Sequence, residues 1–299
     1  VKIDLFDDDE LFDDEPVPPR ERPPREPRRK RRGGGGGETA KRILVALPWI
    51  VFAIAITVAG GLVFAAAMVA IGVVAIGEYA GMTNRYRPLV IPAYIAVAAL
   101  VIAAHFGSAF NVLYVIAGTF PLLFAFAVRA GRSEGGTISL GVTLLGVLWI
   151  GIPLAHAVLL RDLPDHGAAL LIDVLVGTFV TDTAAYATGR MFGSHKIAPN
   201  LSPNKTVEGL VGGFVIGTMG FWFAGLYQDW LSGVDALMIG AAVAAAAPIG
   251  DLFESMLKRD LDTKDTGTLF GPHGGLLDRL DAVFFTIVVG YYLSIALVF

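Results

Sequence analysis

The chain has no cysteine among its 299 residues. That absence excludes disulfides, thiolate nucleophiles and cysteine-ligated zinc, and it leaves the redox compartment undetermined. Charge is also scarce, with Asp, Glu, Lys and Arg making up 17% of the residues against the quarter usual in soluble domains. Histidine occurs five times, and no H-E-x-x-H pair, G-x-S-x-G elbow or G-x-x-x-x-G-K-[ST] phosphate loop is present. A zincin, a serine hydrolase and a P-loop nucleotidase are therefore unsupported. What is abundant is apolar residue, at 55%, with a mean hydropathy of +0.64. The composition is that of a polytopic, all-α membrane protein.

Residues 1–42 stand apart. An acidic block (Asp7, Asp8, Asp9, Glu10, Asp13, Asp14, Glu15) precedes a Pro/Arg-rich block ending at Arg32 and a glycine run from Gly33 to Gly37. Such a tail cannot bury enough apolar surface to offset the entropy of ordering, so disorder is expected. Its basic run is read as a solvated topogenic segment in preference to a lipid-headgroup contact. It is not read as a secretory signal, because no short apolar core with a cleavage site precedes the spans.

From Ile43 the apolar runs are expected to form nine membrane spans, at 43–58, 61–77, 88–104, 109–128, 138–160, 168–187, 207–228, 235–250 and 282–299. Residues 43–299 thus form one transmembrane domain. With a cytoplasmic N-terminus, eleven Lys and Arg residues fall in inner loops (Arg85, Arg87, Arg129, Arg132, Arg190, Lys196, Lys205, Lys258, Arg259, Lys264, Arg279), and Arg161 alone falls in an outer one. The positive-inside rule therefore puts the C-terminus outside, in a plasma membrane or cell inner membrane. Gly209, Gly213 and Gly217 repeat every four residues on the seventh span, a small-residue ladder that suits close packing within the chain or across a homodimer.

Ser255–Asp281 packs five acids, four bases and a histidine into 27 residues between apolar runs. Asp278 and Asp281, three apart, share one face of a helix starting near Gly275, and Asp251 lies one turn before Ser255. Three carboxylates at one membrane depth repel one another and are costly to desolvate, so a divalent cation is expected among Asp251, Asp278 and Asp281. Oxygen ligands without Cys favour Mg²⁺ or Mn²⁺ over zinc. The competing reading pairs the two α-helical acids with Arg279 and Lys258 at a plain interface. Lys258, Arg259, Lys264, His273 and Arg279 make the same segment cationic, and Gly271, Gly274 and Gly275 let a backbone approach a ligand. Acids, bases and glycines together suit a polyphosphate. For His273, a hydrogen bond beside the glycines competes with direct phosphate contact.

A second segment, Phe179–Gly209, is expected on the same face. Asp182, Tyr186 and Arg190 share a helical stripe, which also suits a simple acid–base pair, while Ser202, Lys205 and Thr206 beside Glu208 form a phosphate-gripping corner. His105, His156 and His166 are read as structural. A secondary transporter using Asp173 and Asp182 is the rival from another class, weakened by the lack of an internal repeat and by charge placed at the membrane edge.

The residues Ser255, Lys258, Arg259, Lys264, Asp265, Gly267, Phe270, Gly271, His273, Gly274, Gly275, Asp278, Arg279 and Asp281 fall at the spacing of a family signature. On these, residues 40–299 resemble the phosphatidate cytidylyltransferases, or CDP-diacylglycerol synthases. The stretches DTAAYATGR and SPNKTVEG also look like family motifs, with Ala184 where a glycine and Val207 where an aromatic is expected. The resemblance implies the reaction of CTP with phosphatidic acid to give CDP-diacylglycerol and pyrophosphate, with no nucleic-acid partner. It implies Mg²⁺, with or without a second cation such as K⁺, at Asp251, Asp278 and Asp281. It also implies that Lys205, Lys258, Arg259, Lys264 and Arg279 hold the triphosphate or the lipid headgroup, with Asp182, Arg190, Ser202, Thr206, Ser255, His273, Gly274 and Gly275 as the further candidate substrate-binding residues read from the sequence. A related enzyme acting on another lipid phosphate, such as a polyprenol or archaeal-type lipid, shares the same metal site.

Overall fold

The computed structural model describes residue 48 and residues 50–132, 134–267 and 274–299. The expectations for the N-terminal tail and for His273 lie outside these residues. Ten helices and a two-stranded hairpin make up the fold. Helix α1 spans Ile50–Ala59, α2 Gly61–Met82, α3 Val90–Phe106, α4 Ala109–Arg129, α5 Gly136–Gly146 and α6 Ile152–Arg161. A π-helical stretch, Val147–Gly151, fuses α5 and α6 into one rod. Helix α7 follows at Gly167–Phe192, then strands β1 (Lys196–Ala198) and β2 (Ser202–Thr206), then α8 (Val207–Gly225), α9 (Gly233–Asp260) and α10 (Leu277–Val298).

Among the described residues these make nine rods, one on each apolar run of the sequence. Seven are long and apolar enough to cross a membrane, and α1 and α3 are shorter. Phe106, Phe110, Phe124, Ile91 and Phe223 are each more than half exposed. Apolar surface on that scale would be a liability in water and is the ordinary face of a helix in lipid. The protein is a multi-pass membrane protein.

Several expected boundaries move: α2 and α7 run on to Met82 and Phe192, past the expected 77 and 187, and two further shifts bear on the charged residues. The eighth apolar run ends at Gly250, but α9 continues to Asp260, because Phe253, Leu257 and Leu261 keep one face buried or half-buried, together with the buried Glu254, while Arg259 and Asp260 are exposed. The last run begins at Ala282, but the helix starts at Leu277, so Asp278 and Asp281 both lie inside its first turns.

Successive rods run in opposite directions, and the ends are held by different chemistry. At the far end, the Arg161 side chain, closing α6, donates to the Thr57 and Val58 carbonyls of α1 at 3.1 and 3.4 Å. A cation at a helix C-terminus complements the helix dipole. The bend from α1 to α2 needs Gly60, whose φ is 61°, and a Cβ there would collide with the Arg161 guanidinium. His105 pairs with Asp162 at 3.1 Å, the Tyr292 hydroxyl stands 3.2 Å from His156, and His166 stacks on Trp230, so all three histidines have structural partners. Asp173 is fully buried and accepts from Gln228 at 2.6 Å.

The glycine ladder of α8 faces α7 within the chain. A Cβ at Gly213 would lie 2.8 Å from Ala185 Cβ, and one at Gly217 would overlap the Thr181 hydroxyl. The backbones therefore touch where any side chain would part them. In the middle of the bundle Trp149, on the π-helical turn, packs edge-on against Tyr79 of α2, Phe253 of α9 and Phe284 of α10. The helices that carry the charged residues thus converge on one aromatic cluster.

Candidate active site

The charged residues gather at the end of the bundle where α2, α7 and α9 finish and α8 and α10 begin. Between α7 and α8 the sequence reads as a loop, but residues 196–206 form an antiparallel hairpin pairing Lys196 with Thr206 and Ala198 with Ser202. Too short and too polar to show strand alternation, it is legible only through its pairing. It is closed by Thr206, whose buried hydroxyl accepts from the Gly209 amide at 3.1 Å as the N-cap of α8. A Cβ at Gly189 or Gly193 would also press on that hydroxyl, at 2.9 and 2.7 Å. Thr206, of which a phosphate contact is expected, thus also caps α8, and Ser202 is half-buried in the strand. The His195 ring, unremarked in the sequence, sits 2.7 Å from Glu208 on the first turn of α8.

The hairpin carries Lys205 to α9, where its ammonium stands 2.6 Å from Asp251 Oδ2. Asp182, from α7, lies close enough to feel both of these charges, and Asp281, from α10, feels Asp251 and Asp182. The segments that the sequence offers separately, 179–209 and 251–281, thus meet around one ammonium. The approach of α10 to α9 here is as close as backbones allow, since a Cβ at Gly250 would strike the Asp281 carbonyl. Arg259 fastens the assembly from below, donating to the Leu201 carbonyl in the hairpin turn at 3.2 Å.

Asp278 behaves differently from Asp281. Its Oδ1 accepts from Lys258 at 2.9 Å, and its Oδ2 accepts from the Gly275 amide at 2.7 Å, the Thr266 amide at 3.0 Å and the Thr266 hydroxyl at 2.9 Å. Three donors crowd Oδ2, while Oδ1, accepting from Lys258, keeps room for a further contact. The three acids expected to share a metal differ in their partners: Asp251 pairs with Lys205, Asp281 lies among Asp251, Asp182 and Lys258, and Asp278 bonds Lys258, Thr266 and Gly275. No three acids or histidines among the described residues stand close enough together to hold a metal ion as they are. Asp278 does pair with Lys258, as the interface reading of the sequence has it, but Lys258 also holds Glu254 at 2.6 Å.

Glu254 and Glu78 are two acids that sequence reasoning missed. Glu254 is fully buried, one turn before Lys258, and its Oε2 has no hydrogen-bond partner. Its signal was present, as an acid four residues before a base on an otherwise apolar helix face. Glu78, at the end of α2, accepts from the Leu276 and Leu277 amides at 2.9 and 3.0 Å. The glycines that the sequence suggests for ligand access crowd these carboxylates: a Cβ at Gly267 would lie 2.6 Å from Glu78 Oε1, and Gly274, at φ 87°, abuts Asp278.

The remaining expected residues ring the site. Lys264 and Arg279 are exposed at its mouth, Ser255 is half-buried, and Arg190 donates to the hydroxyl of Tyr186 one turn earlier at 2.9 Å. That bond leaves Asp182 to the interior and separates it from the Arg190 partner the stripe suggested. Across the site six carboxylates (Glu78, Asp182, Asp251, Glu254, Asp278, Asp281) face two interior ammonium groups, Lys205 and Lys258.

A helical membrane protein with carboxylates and bases crowded at one end has the equipment of a membrane enzyme handling phosphate groups. The chain belongs to the Cytidylyltransferase family, which it matches over residues 40–297. It is 35% identical over 154 residues to the phosphatidate cytidylyltransferase of Bacillus subtilis (strain 168), covering 51% of this chain and 57% of the relative. It is 41% identical over 134 residues to that of Thermotoga maritima, covering 42% and 49%. With that of Staphylococcus saprophyticus the identity is 28% over 257 residues, covering 82% and 95%. The matched stretch thus spans about half the length of the first two relatives.

Proposed function

We propose that the protein is a phosphatidate cytidylyltransferase, transferring CMP from CTP to phosphatidic acid and giving CDP-diacylglycerol and pyrophosphate. The reading rests on the family, on relatives named for that activity, and above all on the meeting of Lys205 with Asp251, which joins two motif segments into one site. In this reaction a lipid phosphate oxygen attacks the α-phosphorus of CTP, the bond to the bridging oxygen breaks, and pyrophosphate leaves with its electron pair. A phosphomonoester is already an anionic nucleophile, so no serine or cysteine is required, and the barrier is the meeting of two anions.

The residues present suit Mg²⁺, because the acids gathered here offer hard carboxylate oxygens and Glu254 Oε2 is buried without a partner. Mg²⁺ commonly takes one or two protein carboxylates and completes its shell with water and substrate phosphate, so Asp251 and Asp281, with Asp182 nearby, suffice to hold it. When bound, it would neutralise the phosphate oxygens as charge shifts to the pyrophosphate. Asp278 sets the loop and the first turn of α10 that present Asp281. Lys264, Arg279 and Arg259 at the mouth receive the triphosphate, and Arg190 with Tyr186, at the membrane-facing end of α7, receives the lipid headgroup. Acyl chains then remain in the leaflet while only the headgroup travels.

In this reading the site end faces the cytoplasm, where CTP is found, and the C-terminus lies outside, in the plasma or inner membrane. Labelling a single cysteine placed near residue 299 from the outer side tests that orientation. A homodimer would need another surface, since the ladder of α8 is occupied by α7. The deciding experiment is formation of labelled CDP-diacylglycerol from CTP and phosphatidic acid by purified protein, with and without Mg²⁺. Lipid product from another lipid phosphate, and none from phosphatidic acid, would refute the proposed substrate, and no nucleotide incorporation at all would refute the proposed reaction.

A further inference from the structure

The first turn of α10 carries both Asp278 and Asp281, yet its own flanking residues supply little to hold it. The residue preceding the helix is Leu276, which has no capping side chain. The free amides of a helix start require acceptors, above all where water is excluded. Here the acceptor is Glu78, which enters from α2, 198 residues earlier in the chain, and takes the Leu276 amide on Oε1 and the Leu277 amide on Oε2. A second contact joins the same carboxylate to the site: the Thr266 hydroxyl lies 3.4 Å from Glu78 Oε2 and 2.9 Å from Asp278 Oδ2. The Gly267 and Gly275 backbones close over Glu78 where any Cβ would meet its oxygens.

We propose that Glu78 is a positioning residue: an N-cap supplied from a distant helix, which fixes the rotation and register of the first turn of α10 and thereby holds Asp281 beside Asp251 and Asp182. A side chain that touches two consecutive backbone amides and, through Thr266, the carboxylate that anchors the loop leaves that turn little freedom to rotate. It also ties α2, which contributes nothing to the signature segment, to the geometry of the cation-binding acids. The consequence for catalysis rests on the cytidylyltransferase reading above, but the structural part does not.

The test uses the full chain in detergent or nanodiscs, with Glu78→Gln and Glu78→Asp. Gln keeps the size but offers one acceptor and turns an NH₂ toward an amide. Hydrogen exchange read by mass spectrometry is expected to rise at least tenfold at Leu276 and Leu277 in Glu78→Gln, with α8 unchanged, and to return most of the way in Glu78→Asp. In the CTP assay the Mg²⁺ concentration for half-maximal rate and the KM for CTP are expected to rise at least fivefold, more than kcat falls. Unchanged exchange at Leu276 and Leu277 would overturn the proposal. So would a kcat lowered at constant KM and constant Mg²⁺ dependence, since that is only loss of folded enzyme. Should Glu78→Gln fail to fold, Thr266→Val removes just the hydroxyl shared with Asp278, and the same two readouts are expected to move in the same direction by a smaller factor. A wild-type protein inactive with CTP and phosphatidic acid would sink the functional reading alone, and the exchange measurement would then decide the role of Glu78.

Discussion

The α7–α8 and α9–α10 junctions are both antiparallel helix pairs with backbones in contact, and they are built on opposite principles. Between α7 and α8 contact is mainly steric: glycines at 209, 213 and 217 lie on Ala185 and Thr181, and the hydrogen bonds are few, the Thr206 cap and a long one from the Thr188 hydroxyl to the Gly209 carbonyl at 3.4 Å. Between α9 and α10 Gly250 allows the approach, and Lys258 bonds Asp278 across it while holding Glu254 on its own helix. The first junction is intolerant of added volume and indifferent to charge. The second is intolerant of an unpaired charge, and it is the one that bears on chemistry. Rigidity on one side of the site thus comes mainly from close packing of small residues, and on the other from charge pairing.

This contrast can be broken or sharpened by substitution. The largest effect is expected from Asp281→Asn, with turnover in the CTP assay down on the order of 10²–10³-fold. Its thermal unfolding temperature in detergent should be unchanged or higher, because a like charge beside Asp251 and Asp182 is removed; a clear drop would make Asp281 structural. Lys258→Met should instead lower stability by roughly 3–5 kcal/mol, as it strands Glu254 and Asp278 unpaired, and denaturant unfolding in micelles measures it. Gly217→Leu, by overpacking against Thr181, should cost roughly 1–3 kcal/mol by the same measurement, with activity falling only in step with the folded fraction. Smallest is Thr206→Ala, at about 1 kcal/mol for a lost cap, with the KM for CTP unmoved; a raised KM would return Thr206 to the phosphate-binding role its sequence position suggested.

Much of the architecture was legible in the sequence. Hydropathy located all nine rods, and the spacing of glycines by four located the tight junction, though not its partner, because spacing describes one surface and not what covers it. The signature segment located the end of the bundle where charge collects. What stayed hidden depended on long-range pairing. Glu78 is a lone acid at the end of an apolar run, and nothing local separates it from a residue marking a membrane boundary. The hairpin at 196–206 is too short for alternation to register. Asp278 and Asp281 share a helix face and so look equivalent, and only the loop folding back through Thr266 and Gly275 distinguishes them. The extension of α9 to Asp260 was obscured for the opposite reason: hydropathy drops at Asp251, while one helical face remains packed.

Trp149 offers a different kind of consequence. It is one of four tryptophans, and its indole touches Tyr79, Phe253 and Phe284, one aromatic from each of the three helices that deliver Glu78, Asp251 and Asp281. Any rearrangement of α2, α9 or α10 must alter the surroundings of that ring, so its fluorescence is a built-in optical gauge of the site, readable without labels and without turnover.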